Sequence, residues 1–199
     1  MNQVKSVVKE QFEKNKAGWE KSFFYGFSQD ENGDAVAWMT YPAIEFLKNN
    51  LNKNHEIFEF GCGASTLFFS GIVKKVVGLE TNKRWLGITQ KMLAEKSRNN
   101  VVITLMEDGL ENDNYQNFAR NCGQKFDFII IDSLKRFACA KNVIDALKPS
   151  GTVILDDSER KNYKKIFEFF AENNFQKQDF FGIAPGQLRI KNTTLFSKF

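Results

Sequence analysis

The chain has 199 residues, of which 42% are hydrophobic and 26% charged, an ordinary globular composition that excludes disorder as the default reading. Its net charge of +4 comes from 28 basic and 24 acidic residues spread along the sequence, so a nucleic-acid groove is not favoured as the partner surface. No apolar run approaches the ~18 residues of a membrane span, and the charged N-terminal stretch lacks the apolar core of a leader. The three cysteines, Cys62, Cys122 and Cys139, form no CxxC pair, so neither a disulfide framework nor a zinc site is expected and a cytoplasmic location fits.

In chain order, residues 1–50 carry no strand signal. They hold two helix-like segments, Asn2 to Lys16 and Pro42 to Asn50, around an aromatic stretch with Trp19, Phe23, Phe24, Tyr25, Phe27 and Trp38. Pro42 marks a helix start, where the missing N–H would have been unpaired anyway. Residues 51–199 read as a second unit. Short apolar runs at Glu56 to Phe60, Lys75 to Leu79, Val101 to Leu105, Phe126 to Ile131 and Thr152 to Leu155 alternate with amphipathic stretches. Those stretches lie near Ser65 to Ile72, Lys83 to Ser97, Asp113 to Asn121, Lys135 to Leu147 and Glu159 to Asn173. Such alternation builds βαβ units, and runs as continuously apolar as FDFIII are buried on both faces of a parallel sheet. Phe175 to Phe181 and Thr193 to Phe199 follow without room for a crossover helix, so they pair as an antiparallel hairpin. The expected fold is a doubly wound, seven-stranded α/β sheet, mostly parallel. The 21 phenylalanines supply rings to its core.

In open α/β sheets the ligand lies beyond the carboxyl ends of the strands. The first strand leads into GCGAST, where Gly61 and Gly63 let the backbone turn sharply and approach a ligand, and Ser65 is placed to cap the next helix. A tight strand-to-helix turn without a ligand would read the same way. The second strand ends in Glu80, about twenty residues after the first glycine, the spacing at which a carboxylate accepts ribose hydroxyls. Dinucleotides and S-adenosylmethionine both use that arrangement. The dinucleotide fingerprint asks for a third glycine where this chain has Thr66. S-adenosylmethionine has no phosphate and carries cationic groups, which suit the acidic residues Glu59, Glu80, Asp108, Asp132, Asp156 and Asp157 at or after strand ends.

Residues 56–157 resemble the class I S-adenosylmethionine-dependent methyltransferases motif by motif: FEFGCGAST, VVGLET, MEDG, FDFIIIDS and GTVILDD stand in the family's order. The terminal hairpin fits the same Rossmann-like fold. The resemblance implies that Gly61 and Gly63 pass under the methionine moiety and Glu59 holds its amino group. It further implies that Glu80 binds the ribose and Asp108 the adenine amino group.

The acceptor is less legible. His55, the only histidine, precedes the first strand at the far end of the sheet and reads as structural or surface. The fourth motif continues as IDSL, without the Asn-Pro-Pro-aromatic signature of base amino methylation. Asp132, Asp156 and Asp157 resemble the metal-binding carboxylates of catechol-type O-methyltransferases, which implies Mg²⁺ and a catalytic part for Asp132 and Asp156; solvated carboxylates remain the alternative. The working expectation is O-methylation of a small molecule or glycan. An RNA or protein methyltransferase and a non-catalytic binding module are the alternatives. The segment GIAPGQLRIKN is expected to wall the acceptor pocket with Gln187, Arg189 and Lys191, and Trp38 and Tyr41 of the 1–50 segment to cover it.

Overall fold

The computed structural model describes the chain apart from Met1, Leu110, Asn112, Ser133 and Phe199; Ser133 of the fourth motif and Phe199 of the expected last strand thus lie outside the described residues. β1 (Glu56–Phe60), β2 (Lys75–Glu80), β3 (Val101–Leu105), β4 (Phe126–Ile131) and β5 (Leu147–Leu155) run parallel. β7 (Lys191–Ser197) lies antiparallel between β5 and β6 (Gln176–Gly182), completing the order β3-β2-β1-β4-β5-β7-β6. The chain leaves β1 on one side for β2 and β3 and returns on the other for β4. The carboxyl ends of β1 and β4 therefore flank the point where strand order reverses, which is where a ligand fits.

Successive strand residues point to opposite faces, and both faces are covered. On one, Phe58, Phe60, Ile129 and Ile131 pack with Tyr115 of α5 (Asn114–Asn121), Cys139 of α6 (Arg136–Asn142) and Phe170 of α7 (Lys164–Glu172). On the other, Ile57, Ile130 and Ile154 meet Leu47 of α2 (Tyr41–Asn50) and Phe68 and Phe69 of α3 (Ala64–Ile72). Rings carry much of this core, as expected: Phe170 stacks on Phe196 at 4.4 Å between centroids. Each such buried side chain contributes about 1.5–3 kcal/mol.

The first helix, α1 (Asn2–Tyr25), extends well past the expected Lys16. Trp and Phe are only moderate helix formers, so local propensity does not signal this extension. Tertiary contacts supply it: Trp19 stacks on Phe23 at 5.3 Å and donates its indole N–H to the carbonyl of Gln187 at 3.1 Å. The stretch expected as one helix from Lys135 to Leu147 is α6 plus a 3₁₀ turn at Ile144–Ala146. β5 begins earlier than expected because Leu147 already pairs with Phe126, while the register shifts before Thr152 pairs with Phe128. The intervening Pro149, Ser150 and Gly151 read as a loop in sequence. Among the described residues no helix is long and apolar enough to cross a membrane.

Candidate functional site

β1 delivers Gly61 to the carboxyl edge of the sheet with φ of +89°, a conformation that favours glycine. α3 starts directly after Gly63. The cap differs from the expected one: the Thr66 hydroxyl, rather than Ser65, serves it by accepting the Gly63 N–H at 3.0 Å. The residue that breaks the dinucleotide fingerprint thus has a local role. Glu80, at the end of β2, is buried and binds the same turn. Its Oε2 accepts the Cys62 N–H at 3.0 Å, and its Oε1 accepts those of Thr81 and Asn82 at 2.7 and 2.8 Å. α4 (Lys83–Glu95) begins with Asn82 Oδ1 accepting the Trp85 N–H at 2.9 Å. That cap sets the Trp85 indole over Gly63, where it donates to the Cys62 carbonyl. Sequence reasoning passed over Trp85; its place three residues after a helix-capping asparagine was the available signal. Asp108 stands exposed in the turn after β3, its carbonyl accepting the Glu111 N–H at 2.9 Å.

Glu59 is the anomaly. It is fully buried, and neither carboxylate oxygen has a hydrogen-bond partner. Burial pushes its pKa up from 4.5 to about 7, with the nearby Ser65 and Thr66 hydroxyls pulling the other way. A buried carboxylate without a partner is costly and calls for an explanation. A cationic ligand group seated beside the glycine turn is one.

Asp132, Asp156 and Asp157 do converge, with ligating atoms within 4.8 Å of one another, but cations of the chain already surround them. Lys191 bonds Asp156 and Asp157, Arg136 bonds Asp132 at 2.6 Å, and Arg160 and Arg189 both bond Asp157. Asp156 is sealed further by the Thr193 hydroxyl at 2.7 Å. Burial pushes Asp156 up against the pull of the Lys191 ammonium. Burial alone would depress Lys191, yet Asp156 and Asp157 outweigh it and hold the ammonium above its ordinary value. Asp157 is likewise held low by Lys191, Arg136 and Arg189 in spite of its burial. The expected Mg²⁺ does not fit a carboxylate cluster so neutralised. Lys191, expected to meet the acceptor, is only 1% exposed and spent internally. Arg189 keeps 47% of its side-chain surface while also bonding Glu159 at 3.1 Å.

The loop between β6 and β7 starts at this carboxyl edge and packs on the N-terminal segment. Trp38 donates its indole N–H to the Pro185 carbonyl at 2.7 Å, and the Tyr41 N–H bonds the Ile183 carbonyl at 3.0 Å. His55 lies at the opposite edge, its ring against Phe128 and its Nδ1 accepting the Asn52 N–H at 3.3 Å. A cleft of about 300 Å³ lined by Lys14, Asp30, Glu31, Tyr41 and Glu45 includes none of Glu59, Glu80, Asp132, Asp156 and Asp157.

A glycine turn after β1, a carboxylate closing β2 and an antiparallel β7 inserted between β5 and β6 complete a Rossmann-like α/β fold of the kind seen in solved methyltransferases. Solved structures agree. An rRNA methylase of Streptococcus thermophilus superposes with a TM-score of 0.61 at 17% identity, over 82% of this chain and 99% of that one. An S-adenosylmethionine-dependent O-methyltransferase of Thermotoga maritima gives 0.60 at 14% identity, over 81% of this chain and 67% of that one. Precorrin-6y C5,15-methyltransferase of Geobacter metallireducens gives 0.59 at 16% identity, over 86% and 97%. At such identities the likeness is one of fold, and these proteins differ in what they methylate. No protein-family model matches the chain, and no curated protein is significantly similar to it in sequence.

Proposed function

We propose that this protein is an S-adenosylmethionine-dependent methyltransferase acting on an oxygen of a small molecule or sugar. The observation that carries the cofactor reading is Glu59: a wholly buried, unpartnered carboxylate beside a glycine turn is the natural counter-charge for the amino group of the methionine moiety. In this reading Gly61 and Gly63 leave room for that moiety. Glu80 turns its carboxylate to the ribose hydroxyls, and Asp108 takes the adenine amino group.

When bound, S-adenosylmethionine supplies an activated methyl group for in-line displacement. What the protein must add is alignment of the acceptor and removal of one proton. Asp156 is sealed by Lys191 and Thr193, whereas Asp132 keeps 38% of its side-chain surface. Asp132 is therefore the carboxylate that takes the acceptor's proton. Residues 1–50 cover the pocket, with Trp38 bound to the β6–β7 loop and excluding water, and Arg189 at its rim orients the acceptor. A reducing, cytoplasmic compartment suits the three free cysteines. An RNA acceptor is the second reading. It is supported by the rRNA methylase among the fold neighbours and by Phe24 and Tyr25, exposed by 79% and 75% at the end of α1, which offer stacking faces to bases.

Calorimetry with S-adenosylmethionine, S-adenosylhomocysteine, NAD and ATP tests the cofactor, and binding of NAD or ATP in place of the first two would sink the proposal. Labelled methyl transfer to hydroxylated small molecules, sugars and total RNA then separates the acceptors. Binding without transfer to any of them would point to a non-catalytic module.

A further inference from the structure

The convergence of Asp132, Asp156 and Asp157 has the oxygen donors of a hard-cation site, yet its charges are already balanced from within. Lys191 Nζ donates to Asp156 Oδ2 and to the Trp38 carbonyl at 3.4 Å, and it forms an ion pair with Asp157 Oδ1 at 2.8 Å. An ammonium has three N–H groups and no acceptor, and three oxygens of the chain already surround this one. Arg136 spans the cluster from the other side, bonding Asp132 Oδ1 at 2.6 Å and the Asp156 carbonyl and lying 3.7 Å from Asp157 Oδ2. Arg160 and Arg189 close on the two oxygens of Asp157, and Arg189 also holds Glu159. The four cations Lys191, Arg136, Arg160 and Arg189 thus balance the four carboxylates Asp132, Asp156, Asp157 and Glu159 in formal charge, with Asp157 in reach of all four. A divalent ion entering beside Lys191 would leave two positive charges uncompensated in a buried place, and one taking its place would have to expel an ammonium whose backbone is fixed by pairing with Gly182 in the β6–β7 ladder.

We infer that Lys191 is the resident cation of this cluster, standing where the carboxylate geometry would otherwise seat a divalent metal, and that the protein needs no such metal. The ammonium draws Asp156 and Asp157 together and ties the Trp38 segment to the sheet edge through that residue's carbonyl. It is a positioning residue. This role for Lys191 concerns the protein's own charges and stands apart from the methyl-transfer proposal, because it is read from stability and metal binding.

The experiment is a set of thermal melts with and without millimolar Mg²⁺ or Mn²⁺. Wild-type protein is expected to melt at the same temperature in both. Lys191→Ala leaves buried carboxylates without their cation, so its midpoint should fall by about 10 °C without metal. Metal should restore most of that loss by occupying the vacated place. Should Lys191→Ala not fold, the double variant Asp156→Asn/Lys191→Met removes both charges of the central pair and is expected to fold and melt within a few degrees of wild type. A wild-type midpoint that rises with metal and loses that rise in Asp157→Asn overturns the inference. So does a folded Lys191→Ala that ignores metal, or a double variant as unstable as the single one.

Discussion

Glu59→Gln should move stability and cofactor binding in opposite directions. Burial raises the Glu59 pKa from 4.5 to about 7, and a rise of that size corresponds to about 3 kcal/mol. Because the folded protein holds this proton more tightly than the unfolded chain, the stabilising contribution is intact below the unfolded value. It is lost as pH rises through the folded one. Wild-type protein should therefore lose about 3 kcal/mol relative to Glu59→Gln between about pH 4.5 and about pH 8. Urea unfolding of both proteins across that range reads the difference. The buried glutamine amide adds an offset, but a constant one, so the pH dependence of the difference isolates the carboxylate. S-adenosylmethionine should bind the variant more weakly by about 1.5–3 kcal/mol at the upper end of the range. In wild type, binding near pH 6 should release a proton and be about tenfold weaker than near pH 8, because only about a tenth of Glu59 is ionised there. Parallel stability curves would show that Glu59 is not the desolvated group described. Unchanged calorimetric affinity would remove it from the cofactor site.

Three other outcomes are expected. Glu80→Ala should weaken S-adenosylmethionine by about 1.5–3 kcal/mol in calorimetry, and its melting midpoint should fall as well, since the carboxylate also holds the N–H groups of Cys62, Thr81 and Asn82; unchanged affinity in the folded variant would remove Glu80 from the ribose. Gly63→Val should abolish binding and also destabilise the protein, because a β-carbon there would lie 2.9 Å from Trp85 Nε1; binding and a melt like those of wild type would refute the packing of Trp85 over the turn. Arg189→Ala should raise the KM for the acceptor several-fold with cofactor affinity unaltered, and loss of cofactor binding in its place would put the β6–β7 loop on the wrong side of the site.

Much of the fold and of the glycine turn was legible in the sequence for a physical reason: backbone geometry leaves a local mark. Strands buried on both faces must be apolar throughout, which makes β1, β2 and β4 readable as runs. A sharp turn after β1 needs Gly61, and a carboxylate closing β2 needs only the spacing to Glu80. The register of β5 and the length of α1 left weaker marks. Pro149 and Gly151 read as a loop although Leu147 already pairs with Phe126, and α1 continues to Tyr25 because Trp19 finds Gln187 on a distant loop.

The state of each charge was decided only in three dimensions. Glu59 and Asp156 look alike in sequence, each an acid at the end of an apolar run. Folding gives Asp156 an ammonium from β7 and a hydrogen bond from the Thr193 hydroxyl, and brings Glu59 no cation, only the nearby Ser65 and Thr66 hydroxyls. Lys191 reads as an exposed loop cation until the hairpin carries it inward to Asp156 and Asp157. Whether a carboxylate awaits a metal, a ligand or nothing depends on which charges come within a few ångströms of it. Electrostatic energy follows distance in space and desolvation, and sequence separation carries little information about either.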